Sequence, residues 1–426
     1  TSTNYFDGYM ADINFIDGQA LSPTAFGQYS STTGVWIPAS YTGTYGTNGF
    51  KLNFSNGTST TTLGYDSSGN SNNWTTNNIS LTAGSTYDWM IDSPTSFAGS
   101  SYGVGNYCVI SPLSGTSGSA VSNGNLTVTG SSGSGDSRYG SFGVSSGKWY
   151  WEHTVTNVGT SGVLAGISSD NNQTSALTGV LGYYINGNKY NGSTPSAYGA
   201  SFTTGDIIGV AFDADAGTLT FYKNNSSQGT AFTGISGTYY PLSRGSNGGT
   251  ATVSDHNFGQ RPFSYTPPSG YKSLCTQNLS MPTILAGNKY MDATTYTGNG
   301  STQSIVNSGG MQPDFVWIKR RDTAQDHNVY DSVRGSSGGY VDQLITNATS
   351  AENYYGAGNY GAITTLNSNG FSVNSANSNF VLTNASAGTY VAWQWKAGGT
   401  AVTNTAGSIT SQVSANTTAG FSVVTY

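Results

Sequence analysis

Between residues 146 and 263 apolar and polar positions alternate more sharply than anywhere else in the chain, and each alternating run ends in a turn signal. In Ser146-Gly-Lys-Trp-Tyr-Trp-Glu-His-Thr-Val155 the period of two puts Trp149, Trp151, His153 and Val155 on one face and Tyr150, Glu152 and Thr154 on the other. Ile207-Ile-Gly-Val-Ala-Phe212 is a short unbroken apolar run, the pattern of a strand buried on both sides. Asp213-Ala-Asp-Ala-Gly217 then turns the chain, and Thr218-Leu-Thr-Phe-Tyr222 returns in alternation. With the turn signals at Ser122-Asn-Gly-Asn125 and Ser145-Ser-Gly147, these runs predict an antiparallel two-sheet sandwich over residues 108–275.

On either side the pattern is looser but still strand-like. Residues 1–27 read as an alternating strand over 9–16, followed by Ser22-Pro-Thr-Ala-Phe-Gly27, which supplies an N-cap, a proline at the first helical position and a glycine stop. Residues 28–107 form a Gly/Ser/Thr/Asn-rich connector with Trp36, Trp74 and Trp89 spaced along it. Its clearest phrase, Asp66-Ser-Ser-Gly-Asn-Ser-Asn-Asn-Trp74, reads as a turn whose Asp side chain caps its own backbone. The alternative is a Ca²⁺ loop, for which no bidentate Glu closes the set. After a linker at 276–289, residues 290–420 form a further β-rich module with strands around 294–297, 315–319, 328–330, 371–373 and 390–395. Thr425-Tyr426 echo Thr295-Tyr296, so residues 421–426 read as the start of another copy of a repeat of about 130 residues. On this reading the chain is a fragment of a longer multi-domain polypeptide.

Composition sharpens the class. Almost no window of 12 residues lacks glycine or a turn cluster, which leaves no room for long amphipathic helices. Only 8% of residues are charged, but 13% are aromatic, which argues for packed β-structure against disorder. The fold class is therefore all-β, as tandem antiparallel sandwich modules. Net charge is −6, and the densest basic spot, Lys319-Arg320-Arg321, runs straight into Asp322, so no basic stripe exists to follow nucleic acid. No run approaches 18 apolar residues, so no membrane span is expected.

The order Gly-Lys-Trp-Tyr-Trp-Glu (147–152), Leu-Ala-Gly-Ile-Ser (164–168), Gly-Tyr-Tyr-Ile-Asn-Gly-Asn-Lys-Tyr (182–190), Gly-Asp-Ile-Ile-Gly-Val-Ala-Phe-Asp-Ala-Asp-Ala-Gly-Thr-Leu-Thr-Phe-Tyr-Lys-Asn-Asn (205–225) and Tyr-Tyr-Pro-Leu (239–242) resembles a SPRY domain. The resemblance implies a bent β-sandwich that binds a partner through loops at one end and performs no chemistry. Its loops are filled with Asn, Gly, Ser and Tyr, unlike the Arg- and Trp-bearing loops of many animal SPRY proteins, so the partner class does not transfer. Residues 1–27 resemble the closing strand and final helical turn of a concanavalin/laminin-G-like jelly roll whose remainder would lie upstream. Gln312-Pro-Asp-Phe-Val-Trp-Ile-Lys-Arg320, Asp331-Ser-Val-Arg-Gly335 and Ala392-Trp-Gln-Trp-Lys396 resemble modules found beside such domains in virion proteins. Taken together, the succession resembles tail-fibre or virion surface proteins of tailed bacteriophages of the cyanobacterial and marine kind.

Catalytic chemistry finds little support in the residues. The only glutamates, Glu152 and Glu352, lie in different modules, whereas glycoside cleavage needs a carboxylate pair about 5–10 Å apart. Asp213 and Asp215 share a hairpin turn. His153, His256 and His327 are isolated from one another and show no zinc spacing. There is no P-loop, and a nucleophile triad would require two of the three histidines to be spare, so the expectation is a non-enzyme without metal or cofactor. Cys108 and Cys275 bracket the sandwich, whose first and last strands would lie side by side. A disulfide closing this loop of about 165 residues would add roughly 4–5 kcal/mol in the entropic account. The alternative is two buried thiols, in keeping with assembly in a reducing cytosol.

Binding is the better-supported activity. Tyrosines set among Gly, Asn and Ser combine rigid contact area with adaptable hydrogen bonds. Tyr184, Tyr190 and Tyr198, with Arg244 and Asn247 on another loop, are the candidate ligand-binding residues, and alternation buries one ring of Tyr183-Tyr184. Tyr190 and Tyr198 are expected to be accessible. The expected role is a structural virion protein, a tail fibre or surface appendage on the extracellular particle, presenting loops to a host-surface glycan or protein. Its partners would be copies of itself (a homo-oligomer, trimeric in the usual fibre arrangement) and other virion proteins. A bacterial extracellular adhesin or filament subunit, and a polysaccharide-degrading tailspike, are the rival readings.

Overall fold

The computed structural model describes residues 6, 8–31, 34–84, 86–92, 105–115, 118–130, 136–160, 162–171, 177–245, 250–280, 282–355, 359–374 and 382–426. The chain divides into two compact units, Thr1–Gln28 with Ile37–Ser280 and Tyr29–Trp36 with Met281–Tyr426. Nearly everything regular is β-strand. The exceptions are single turns of helix, among them a 3₁₀ turn at Pro23–Ala25, with proline at its start, and the four-residue helix α1 (Thr60–Leu63). Ser59 and Thr62 close α1 with reciprocal side-chain and backbone bonds.

In the first unit, β1 (Ile13–Phe15) pairs antiparallel with β2 (Phe50–Leu52). The strand expected over 9–16 is thus confined to three residues. Asp66 organises the loop beside this pair. Its carboxylate accepts from the Lys51, Ser68 and Asn72 backbone N–H groups and from the Ser68 hydroxyl, at 2.8–2.9 Å. Burial alone would raise this carboxyl, but those donors hold it below the usual aspartate range. The phrase is a capped turn. Most of the expected connector shares this unit with the sandwich. Ile91 N–H donates to Gln260 O at 3.1 Å, and Met90 packs on the sandwich core.

The sandwich is built from two sheets. Its strands are β3 (Ala120–Ser122), β4 (Thr127–Thr129), β5 (Ser137–Tyr139), β6 (Lys148–Asn157), β7 (Leu164–Ser168), β8 (Val180–Tyr184) and β9 (Asn188–Asn191). They continue with β10 (Thr194–Ala197), β11 (Ile207–Asp213), β12 (Thr218–Lys223), β13 (Ser226–Phe232), β14 (Tyr240–Arg244), β15 (Val253–Asn257) and β16 (Lys272–Ser273). The larger sheet runs β13-β12-β11-β6-β15-β4-β3, with β16 beside β6, and the smaller runs β10-β9-β8-β7-β14-β5. Trp149, Trp151 and Val155 of β6 and Ile208, Val210 and Phe212 of β11 meet Ala165, Ile167, Leu181 and Tyr183 of the smaller sheet in one buried core.

The outer face of β6 is buried as well, beneath the chain that follows β15. Glu152, 1% exposed, accepts the backbone N–H groups of Ser264 and Tyr265, both at 2.8 Å. Tyr150 meets Phe263 edge-on at 5.1 Å. Nearby, Asp255 takes a charged bond from Arg261 at 2.5 Å and a hydroxyl bond from Thr127 at 3.0 Å. The predicted hairpin turn is also as drawn. Asp213 pairs with Lys148 at 2.9 Å and caps Ala216 N–H, and Asp215 accepts from Gly147 N–H.

The two ends of the sandwich do lie side by side, but the cysteines are free. Cys108 N–H donates to Leu274 O, and Tyr107 stands opposite Cys275 in an antiparallel bridge. Since neighbouring side chains on a strand point to opposite faces, a register that pairs Cys275 with Tyr107 turns Cys108 away from it. The disulfide is therefore corrected to two buried thiols, with Cys108 in the core and pushed up to about 12 by burial.

The second unit has a five-stranded sheet in the order β17 (Met291–Thr297), β24 (Thr389–Trp395), β19 (Phe315–Arg320), β20 (Asn328–Asp331), β21 (Gln343–Ile345). Facing it are β18 (Gln303–Val306), β23 (Gly370–Val373) and β22 (Ile363–Asn367). Val316, Ile318, Tyr330, Tyr390 and Ala392 pack there against Ile305, Ile363, Phe371 and Val373. Within the basic spot Arg320 forks onto Asp322 at 2.8 and 2.9 Å, and Lys319 donates to the Arg320 and Gln325 carbonyls at 2.9 Å. A last sheet holds β25 (Val402–Asn404), β26 (Ser411–Asn416) and β27 (Phe421–Thr425). Residues 421–425, set apart by the sequence as the opening of another copy, are here the closing strand of a hairpin with β26.

Two outcomes follow from this packing. Glu152→Ala, which strips the acceptor from two N–H groups, should lower the unfolding free energy by about 2–4 kcal/mol and open residues 259–273 to limited proteolysis. A urea midpoint unchanged from wild type would contradict the role given to Glu152. Reductant should leave the thermal midpoint unchanged, and Cys108 should react with a thiol reagent only once the chain unfolds.

Candidate interaction surface

The outer face of the smaller sheet carries a second, separate core. Strand register builds it in rows. Ser137, Arg244, Leu164 and Tyr184 lie side by side across β5, β14, β7 and β8. Tyr139, Leu242, Gly166, Gly182 and Tyr190 form the next row, and Tyr240, Ser168 and Val180 the third. Because residues two apart on a strand share a face, all of these point away from the main core.

Tyr139, Leu164, Val180 and Leu242 are buried at 3% exposure or less, and Leu177, Tyr184, Tyr190 and Tyr240 pack over them. The Tyr184 and Tyr190 rings meet edge to face at 5.6 Å. Gly182, between them in register, leaves the space that Leu164 fills. A Cβ at Gly182 would lie 2.3 Å from the Leu164 Cδ2. Burial raises the Tyr184 hydroxyl, helped by Tyr190, and lowers the Arg244 guanidinium, which donates to Ser137 Oγ at 2.8 Å. The result is a face of half-buried tyrosines over an apolar floor, with one cation at its side. Such a face can grip a partner by ring contact and hydroxyl bonds.

The structure thus brings together Tyr184, Tyr190 and Arg244 and leaves Tyr198 elsewhere. Arg244 is the last residue of β14, so its assignment to a loop is corrected. Ser243-Arg244-Gly245 reads as a turn in sequence, but β14 runs to its arginine by pairing with β5 and β7. Asn247 lies outside the described residues. Tyr198 closes the open edge of the main core. Its ring stands perpendicular to buried Tyr183 at 5.2 Å, its hydroxyl donates to Gly229 O and receives Phe221 N–H, and burial raises it to about 12. Tyr190 and Tyr198, expected to be accessible, are both only partly so. Of Tyr183-Tyr184, it is Tyr183 that is buried, at 0% exposure. Tyr139 and Tyr240 were missed. The signal for Tyr240 was present in Tyr240-Pro-Leu242, where alternation sets the tyrosine and leucine on one face.

The glutamates considered for catalysis are engaged in the fold, whereas the expectation of isolated histidines is corrected, because strand pairing sets the His153 and His256 rings 4.6 Å apart. Glu152 holds Ser264 and Tyr265, and Glu352 accepts from Arg334 at 2.9 Å. Among the described residues no three His, Cys, Asp or Glu side chains come together as a metal site, and no helix is long and apolar enough to cross a membrane.

Residues 148–253 match the SPRY domain, and residues 286–426 match a domain of unknown function, DUF7483. The central sandwich is SPRY-like. The chain is 39% identical over 82 residues to the E3 ubiquitin-protein ligase RKP of Arabidopsis thaliana, covering 18% of this chain and 6% of that protein. It is 34% identical over 124 residues to Ran-binding protein 9 of Homo sapiens, covering 28% and 17%, and 33% identical over 124 residues to Ran-binding protein 10 of Danio rerio, covering 28% and 20%. The chain thus spans a fifth or less of these relatives' lengths. Among solved structures, the SPRY domain of human HERC1 aligns with 26% identity over 32% of this chain and 91% of that one, at a TM-score of 0.29. A second human SPRY domain aligns with 18% identity over 33% and 94%, at 0.28.

Gly182→Ala tests how tightly the outer core is built. Forcing Leu164 aside should cost about 1–3 kcal/mol in urea unfolding. An alanine variant as stable as wild type would mean that the floor under Tyr184 and Tyr190 is loose.

Proposed function

We propose that the central sandwich is a non-catalytic interaction module, and that its contact surface is the tyrosine-bearing outer face of the smaller sheet. The observation that carries this reading is the convergence of Tyr184, Tyr190, Tyr240 and Arg244 on one sheet face, within a sandwich that matches the SPRY domain. SPRY domains serve protein interaction, and relatives whose names describe a Ran-binding protein and a ubiquitin ligase carry it as a small part of longer chains.

At a finer level, the chain is read as part of a structural protein on the surface of a tailed-phage particle, a tail fibre or appendage, that contacts the host surface and assembles with copies of itself. The succession of β-modules and the scarcity of charge support this reading. So does the internal use of Glu152, Glu352, Asp213 and Asp215 as hydrogen-bond and ion-pair partners.

The test has two arms. An antibody against residues 148–253 should label particles of the phage that encodes the chain. Label found only on bacterial cells would overturn the virion role and favour the adhesin reading. Full chain carrying Tyr184→Ser and Tyr190→Ser should bind host cells at least tenfold more weakly than wild type while keeping its circular dichroism. Undiminished binding would remove this face as the contact surface.

A further inference from the structure

One buried pair belongs neither to the interaction face nor to the strap over β6. His153 of β6 and His256 of β15 are register partners across the seam between these strands, and each is 1% exposed. Their rings meet edge to face at 4.6 Å, and His256 also stacks on Phe258 at 6.2 Å. His256 Nδ1 lies 2.9 Å from Leu126 O, which fixes it as the protonated nitrogen, the carbonyl being only an acceptor. The other nitrogen of His256 and both of His153 meet no hydrogen-bond partner among the described residues.

We propose that this histidine pair makes the sandwich proton-sensitive, closed while both imidazoles are neutral and opening along the β6–β15 seam when mild acid drives a charge onto either ring. Among the described residues no carboxylate bears on either ring, and the Leu126 carbonyl favours a charge on His256 without neutralising it. The charged group bearing on His256 is Arg261, which is itself positive and donates to the His256 carbonyl at 2.8 Å. The group bearing on His153 is His256. Glu152 and Asp255, next to them in sequence, leave the opposite faces of the same strands, where they hold Ser264, Tyr265 and Arg261. Ile208, opposite His153 on β11, carries no charge. A second proton would place two cations a ring's width apart.

The sign follows from where each group binds protons. Burial lowers His153 well below the usual histidine value of 6.5, with His256 adding to it, and lowers His256 to about 4. Between 6.5 and 4 the unfolded chain therefore holds more protons on these two residues than the folded chain, and stability falls as pH falls. Burial raises Asp92 to about 6 and also raises Glu152 and Asp255, and these groups act in the opposite sense. Asp66, Asp206 and Asp213, held low, lose their share of stability only below the ordinary aspartate range. The histidine contribution is thus read as a difference between variants.

The experiment uses the full chain and follows urea unfolding from pH 7 to 5 by hydrogen–deuterium exchange of peptides covering 148–157 and 253–257. His153→Phe removes one imidazole, and His256→Asn removes the other while keeping a donor for Leu126. Relative to each single variant, the wild-type unfolding constant should rise by up to about tenfold per pH unit below 6.5, and relative to the double variant by up to about a hundredfold. Parallel profiles would overturn the proposal. Should a variant fail to fold, exchange of the imidazole C2 hydrogens in wild type decides. His153 and His256 should show no titration down to pH 5 while the chain is folded, and titration near 6.5 would overturn it.

Discussion

Strand β6 is buried on both faces, and the first unit is arranged around that constraint. An apolar inner face solves half of the problem, since Trp149, Trp151 and Val155 need only a facing sheet. The outer face carries Glu152, and a carboxylate out of water must find donors or become neutral. Its donors are the backbone N–H groups of Ser264 and Tyr265, supplied by chain more than a hundred residues downstream. Bringing that chain across β6 also brings Arg261 to Asp255 and Leu274 to Cys108, so the strap that satisfies one acid also ties the end of the sandwich to its beginning.

With the outer face of β6 covered in this way, it is the outer face of the smaller sheet that carries a second cluster of rings. That face holds Tyr139 and Leu242 as a floor and Tyr184, Tyr190 and Tyr240 as its contact layer. Rings anchored in a packed floor lose little freedom when they meet a partner, which is what favours them over loop residues as a contact surface. The reading of the module as a binder thus rests on the smaller sheet being furnished with half-buried tyrosines over a packed floor.

The parts legible in the sequence were those set by neighbours along the chain. Alternation over 149–155, the apolar run at 207–212, the Asp213 turn and the capped turn at Asp66 each depend on a few consecutive residues. The outer core depends on the register of five strands, with Tyr139 and Leu242 about a hundred residues apart, and register leaves no local mark. The cysteines show the same limit. Their strands were rightly placed together, but an offset of one residue sends the thiols to opposite faces. Arg244 was read as a loop residue because the Gly and Ser around it are turn formers, whereas strand pairing carried β14 through it.

Oxidative footprinting of the full chain, free and bound to host cells, tests the central claim most directly, since it reads solvent access residue by residue without altering the protein. Binding should protect Tyr184, Tyr190 and Tyr240 and leave Tyr150 and Tyr183, already buried, unchanged. Protection confined to other residues, with the three tyrosines as reactive bound as free, would contradict the assignment of this face.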